Sequence, residues 1–186
     1  MAILPIVTYD DDVLRATCVA IPENSDEIQT LIDDMFETMY NANGVGLAAP
    51  QIGKSLRLFL ADADVMIEDD SSEEKYGPMA FINPEIKEKK GPTVEYEEGC
   101  LSLPGLSETI KRPDEITISY LDRDFNPQEK TFSGMISRVI QHEFDHIEGV
   151  LFFDHLGSFR KRLLKGKLTD IKDGVVEAAY PLLPKE

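Results

Sequence analysis

His142-Glu143-Phe144-Asp145-His146 places two imidazoles four residues apart, with a carboxylate directly after the first. On a helix four residues turn roughly 400°, so the two rings stand about 40° apart on one face and reach one metal ion. Glu143, about 100° further round, is close enough to hold a metal-bound water without being a ligand. The chain has only 3 histidines and two fall in this pattern, whereas a lone histidine is more often structural. A catalytic site of this kind takes three protein ligands and leaves a fourth position open. A third histidine at the spacing H-E-x-x-H-x-x-G-x-x-H would stand where Phe152 does, and His155 falls three residues later, beyond Gly149. Glu177 is a conceivable carboxylate ligand. Cys100, following Gly99, is the other candidate; its alternative role is a small buried hydrophobe.

The motif needs a helix, and Ser133 and Gly149 bracket one over Gly134 to Ile147. A second helix is expected over Asn24 to Asn41. Ile28, Leu31, Ile32, Met35, Phe36, Met39 and Tyr40 form its apolar stripe, and Asn24 with Glu27 resembles a capping box. Leu56 to Ala61 reads as a buried strand and Asp62 to Lys75 as an acidic, solvated loop. Short strands follow at Met79–Ile82, Ile86–Lys89, Val94–Glu98, Glu108–Lys111, Glu115–Leu121 and Gln128–Phe132, separated by Gly, Pro, Asp and Asn. A basic helix over Ser158 to Leu164 and a terminal strand over Val175 to Leu182 complete the chain. Short antiparallel strands around a central metal-binding helix, without βαβ rhythm, make the fold α+β.

With 186 residues the chain suits one domain, 1–186. Its net charge of −16 argues against DNA, whose binding rests on neutralised phosphates, and against anionic membrane surfaces. No apolar run is long enough to span a bilayer, and the start of the chain lacks the basic and apolar regions of a signal peptide. The 2 cysteines make no disulfide framework, so a reducing cytoplasm is expected.

Three segments resemble the signature motifs of the peptide deformylases, in the family order. They are Gly44-Val45-Gly46-Leu47-Ala48-Ala49-Pro50-Gln51, Glu98-Gly99-Cys100-Leu101-Ser102, and Gln141 to His146 with Gly149. The resemblance implies that Cys100 joins His142 and His146 around one divalent ion, Fe(II) in the cell and Zn(II) or Ni(II) in purified protein. It implies removal of the formyl group from the N-terminal formylmethionine of nascent chains, with release of formate. Water activated by the metal would attack the formyl carbon, and Glu143 would take its proton and return it to the leaving amine. The Gln51 amide and the Leu101 backbone N–H would stabilise the oxyanion. Gly44, Val45, Gly46, Glu98 and Gly99 would line the extended peptide, and Tyr96, Met135 and Val139 the methionine pocket.

Arg138 is expected to face solvent or a carboxylate. Arg160, Lys161, Arg162, Lys165 and Lys167 form a basic cluster in an acidic chain. It is either a solvated helix face or a transient contact with the ribosome near the tunnel exit. Two other functions use the same motif: a zinc endopeptidase, which the Gly44–Gln51 and Cys100 segments argue against, and a non-catalytic metal-binding protein, which leaves Glu143 and Gln51 unexplained.

Overall fold

The computed structural model describes residues 1–183; the end of the expected domain, residues 184–186, lies outside them. The elements are α1 (Asp26–Asn41), β1 (Gly46–Ala48), β2 (Leu58–Ala61), β3 (Met79–Cys100), β4 (Leu103–Leu121), β5 (Pro127–Ser133), α2 (Gly134–Ile147) and α3 (Ser158–Lys172). The strands form one antiparallel meander in the order β1-β2-β3-β4-β5, so β1 is an edge strand. With α2 against the sheet, this is an α+β fold.

The six short strands expected in the middle of the chain are three, two of them long. Met79–Ile82, Ile86–Lys89 and Val94–Glu98 join as β3, and Glu108–Lys111 joins Glu115–Leu121 as β4. The apparent breaks are register shifts, at Ile82/Glu85 and Lys90/Thr93, where Asn83-Pro84 and Gly91-Pro92 bulge the ladder without ending it. The β3–β4 hairpin turns through Leu101 and Ser102, with Cys100 paired to Leu103.

α2 is buried on nearly every side. Ile136, Val139, Ile140 and Ile147 pack with Phe59, Phe81, Ile116, Ile118 and Phe132 of the sheet. Ser133 precedes the helix but its side chain makes no cap. Glu73, from the acidic loop, supplies it instead by accepting the Met135 N–H at 3.0 Å. Gly149 ends the segment at φ +77°, where a Cβ would run into the Arg15 carbonyl. α1 packs its apolar stripe against β1 and β2. Its cap is Ser25, which accepts from Ile28 N–H at 3.3 Å, whereas Asn24 instead accepts from Gln29.

α3 runs on to Lys172, well past the expected Leu164. The strand expected over Val175–Leu182 does not form. That stretch is an irregular tail with a single bridge, Leu182 to Ile6. No helix among the described residues is long and apolar enough to cross a membrane.

Candidate active site

One cavity of about 530 Å³ lies between α2, the β3–β4 turn and the Gly44–Gln51 segment. The helix brings His142 to its inner wall, with His146 buried one turn further along, and the end of β3 brings Cys100 opposite them. Their ligand atoms all lie within 4.8 Å of one another, and Cys100 Sγ is 3.3 Å from His146 Nε2. A thiolate and two imidazoles at these separations fit one ion with metal–ligand bonds of about 2.0–2.3 Å. Glu177 is exposed and outside this cluster, and Phe152 lies against the His142 ring. Of the candidates for a third donor, the cysteine is the one that stands in this cluster.

Glu98 orients the first histidine. Its Oε2 is 2.9 Å from His142 Nδ1, and a carboxylate held ionised can only accept, so Nδ1 carries the proton and Nε2 is left for a metal. Burial pushes the Glu98 carboxyl up, but hydrogen bonds from His142 and Arg112, and the Arg112 charge, outweigh it and hold it far below the ordinary carboxylate range. Arg112 grips both Glu98 oxygens, at 2.6 and 3.0 Å, and reaches Asp145 at 2.9 Å. Arg138 adds a bond to Glu98 at 2.7 Å, so it faces a carboxylate, and is buried doing so. Glu98, expected among the peptide-lining residues, borders the cavity, but its carboxylate is engaged in this network. His155 closes the chain on Asp145 at 2.7 Å and takes no part in the donor cluster.

Glu143 is different. It is 4% exposed, and its Oε2 has no partner within the protein. Burial, partly offset by the His142 charge, raises its carboxyl to about 7. A Cβ on Gly46 would overlap its carboxylate, which explains a glycine there. The His142 and His146 imidazoles diverge. Burial opposes charge on both, but Cys100, Glu98 and Glu143 hold His142 well above its ordinary value, while its neighbour's charge helps to hold His146 well below. Negative partners converging on a buried imidazole suit a cation between them.

On the facing wall, Gln51 is buried with its amide orientation determined. Ala48 N–H donates to Oε1 at 2.8 Å, so Nε2 must point toward Cys100 Sγ, at 3.5 Å, and Ser102 Oγ, at 3.4 Å. Leu101 stands at the hairpin turn beside it. Gly44, Val45 and Gly46 line the cavity along the free edge of β1, where the Val45 carbonyl accepts the Asp62 N–H. Gly99, Tyr96 and Val139 also line it, with Tyr96 at the exposed rim. Met135 does not: it packs against the core between sheet and helix, one turn too far toward the start of α2.

Several residues in and behind the cavity went unnoticed in the sequence. Arg112 lies 14 positions from its partner Glu98, an ordinary strand arginine until the ladder is built. Met66, Leu103, Pro104, Leu106 and Tyr180 also line the cavity. Tyr180 donates to the Leu101 carbonyl at 2.8 Å; burial and then the Cys100 charge push its phenol up to about 12.

A three-donor cluster, an unpartnered buried carboxylate and an amide donor around one cavity define a metal-dependent hydrolase site of the H-E-x-x-H kind. The comparisons with known proteins narrow this class. The family model for polypeptide deformylase matches residues 3–162. A peptide deformylase of Salinibacter ruber is 49% identical over 187 residues, 99% of this chain and 96% of its own length. Another, of Cytophaga hutchinsonii, is 50% identical over 180 residues, 96% of this chain and 95% of its own. The crystal structure of a peptide deformylase from Legionella pneumophila superposes with a TM-score of 0.81 at 41% identity, covering 94% of this chain and 98% of that one. The chain belongs to the polypeptide deformylase family.

Proposed function

We propose that this chain hydrolyses the N-formyl group of formylmethionyl peptides, releasing formate, with Glu143 as general base and acid and with Gln51 and Leu101 as oxyanion donors. The observation that carries the reading is the meeting of Cys100, His142 and His146 with an unpartnered Glu143 carboxylate and an inward Gln51 amide on one cavity.

Cys100, His142 and His146 would hold the metal. Bound there, it supplies a Lewis acid that lowers the pKa of water and polarises the formyl oxygen. Glu143, its carboxyl raised by burial to about 7, takes a proton from the attacking water and delivers it to the leaving amine. Gln51 Nε2 and the Leu101 N–H donate to the oxygen of the tetrahedral carbon, and neither has to reorganise. The peptide lies extended, adding to the free edge of β1 beside Val45 and Gly46, with the Glu97–Gly99 stretch on its other side. Val139 and Tyr96 offer the apolar surface for the methionine side chain.

A mixed thiolate and imidazole set suits borderline ions; we assign Fe(II) in the cell, with Zn(II) or Ni(II) able to replace it in purified protein. Both cysteines are free, which agrees with a reducing, cytoplasmic setting. For the basic cluster, Arg160 is already paired with Glu108 at 2.7 Å, which leaves Lys161, Arg162, Lys165 and Lys167 for a transient ribosome contact. Co-sedimentation at low and high salt tests that contact, and salt-insensitive absence from the pellet removes it.

The activity is tested by formate release from formyl-Met-Ala-Ser under anaerobic conditions with Fe(II). Release is expected, with no cleavage of the acetylated peptide or of casein. Casein digestion without formate release would favour the endopeptidase.

A further inference from the structure

The β3–β4 turn has two residues, Leu101 and Ser102, and neither belongs to the strands on either side. Buried turn carbonyls need donors from elsewhere. Both donors come from the ends of the chain. Tyr180 Oη donates to the Leu101 carbonyl at 2.8 Å, and Tyr9 N–H donates to the Ser102 carbonyl at 2.9 Å. The same N-terminal segment reaches the other oxyanion donor, because Val7 N–H donates to the Gln51 carbonyl at 2.9 Å. The two ends are then tied together. Ile6 N–H donates to the Pro181 carbonyl at 2.9 Å, and Leu183 N–H donates to the Ile6 carbonyl at 2.8 Å. Tyr180 stands immediately before that tie and its ring packs with the α1–β1–β2 core, which leaves its hydroxyl little freedom to leave Leu101.

We propose that Tyr180 is a positioning residue: through the Leu101 carbonyl, and with Ile6–Tyr9 as its brace, it holds the hairpin turn so that the Leu101 N–H stays in register with the Gln51 amide. The inference rests on the deformylase reading for the roles of those two donors. It also gives the irregular tail a purpose. With no ladder beyond the Leu182–Ile6 bridge, the tail can turn inward at Tyr180 and still be fastened by the bonds flanking Leu182.

The test is Tyr180→Phe in the metal-loaded full-length enzyme, which keeps the ring in the core and removes one donor. Three quantities are compared with wild type: kcat and KM for formyl-Met-Ala-Ser, the melting temperature, and amide hydrogen exchange of the 98–104 peptide. The proposal expects kcat to fall about 3–10-fold, the weight of one hydrogen bond, with KM unchanged and faster exchange in 98–104. A melting temperature lowered with kcat intact would make Tyr180 merely structural and overturn the proposal. So would a rise in KM alone, the mark of a substrate contact, or unaltered exchange in 98–104. If the wild type itself releases no formate, the deformylase reading fails on its own, and the exchange measurement still decides whether Tyr180 holds the turn.

Discussion

The two walls of the cavity are built on opposite principles. On the α2 wall, functional side chains sit on a helix and are fixed by other side chains: His142 by Glu98, and Glu98 by Arg112 and Arg138. On the facing wall, Gln51 and Leu101 sit in a short turn and a hairpin end and are fixed through main-chain groups: Val7 N–H donates to the Gln51 carbonyl, Ala48 N–H to Gln51 Oε1, and Tyr180 Oη to the Leu101 carbonyl. The first wall depends on buried charge and is sensitive to any loss of a partner. The second depends on chain path, and single changes there shift a donor without exposing a charge. Ligation needs strong, fixed lone pairs; the charged wall offers two of the three candidate donors, and Cys100 at the hairpin end offers the third. Oxyanion stabilisation needs neutral donors aimed at one point, the role proposed for Gln51 and Leu101 on the backbone wall.

Removing a ligand should have the largest effect. Cys100→Ala should lose the metal, by elemental analysis, and formate release with it; full metal content would break the assignment of the third ligand. Removing the orienting carboxylate comes next. Glu98→Ala leaves Arg112 and Arg138 buried without their partner, an expected cost of about 3–5 kcal/mol in denaturant unfolding. Its pH dependence has a definite sign. Because the folded state holds the Glu98 carboxyl below its ordinary value of 4.5, its contribution is complete above that pH and lost as pH falls beneath it. Glu98→Gln should therefore differ from wild type at pH 7 and converge with it in acid.

On the facing wall, Gln51→Ala should slow formate release by roughly 10²–10³-fold while costing less stability than Glu98→Ala, about 1–3 kcal/mol for the buried Ala48 N–H left without its acceptor. Ser102→Ala should be the mildest: its hydroxyl lies at 3.4 Å from the Gln51 amide, so a few-fold loss of rate at most is expected. A Gln51 variant that unfolds as readily as a Glu98 variant would erase the contrast between the walls.

The same contrast explains what could be read in the sequence. The α2 wall is local: a Ser133 to Gly149 bracket, a 3.6-residue period and two histidines four apart place the helix and its ligands without any tertiary knowledge. On the facing wall Gln51 and Leu101 are legible only as a resemblance and Tyr180 not at all, because the three are brought together from distant positions, with Tyr180 79 residues beyond Leu101. Asn83-Pro84 and Gly91-Pro92 carry turn chemistry yet act as bulges, since a continuous partner strand overrides the local preference. Val175–Leu182 has strand-like composition, but only Leu182 makes a bridge to another segment. Met135 shares a helix with Val139, and one turn is enough to move it from the cavity to the core.

The measurement that tests the central claim most directly is metal content and formate release, side by side, for Glu143→Ala and wild type. The account predicts the same metal content in both, because Glu143 is not a ligand, and a rate lower by about 10²–10⁴-fold in the variant. A metal-loaded Glu143→Ala that releases formate at the wild-type rate would contradict it.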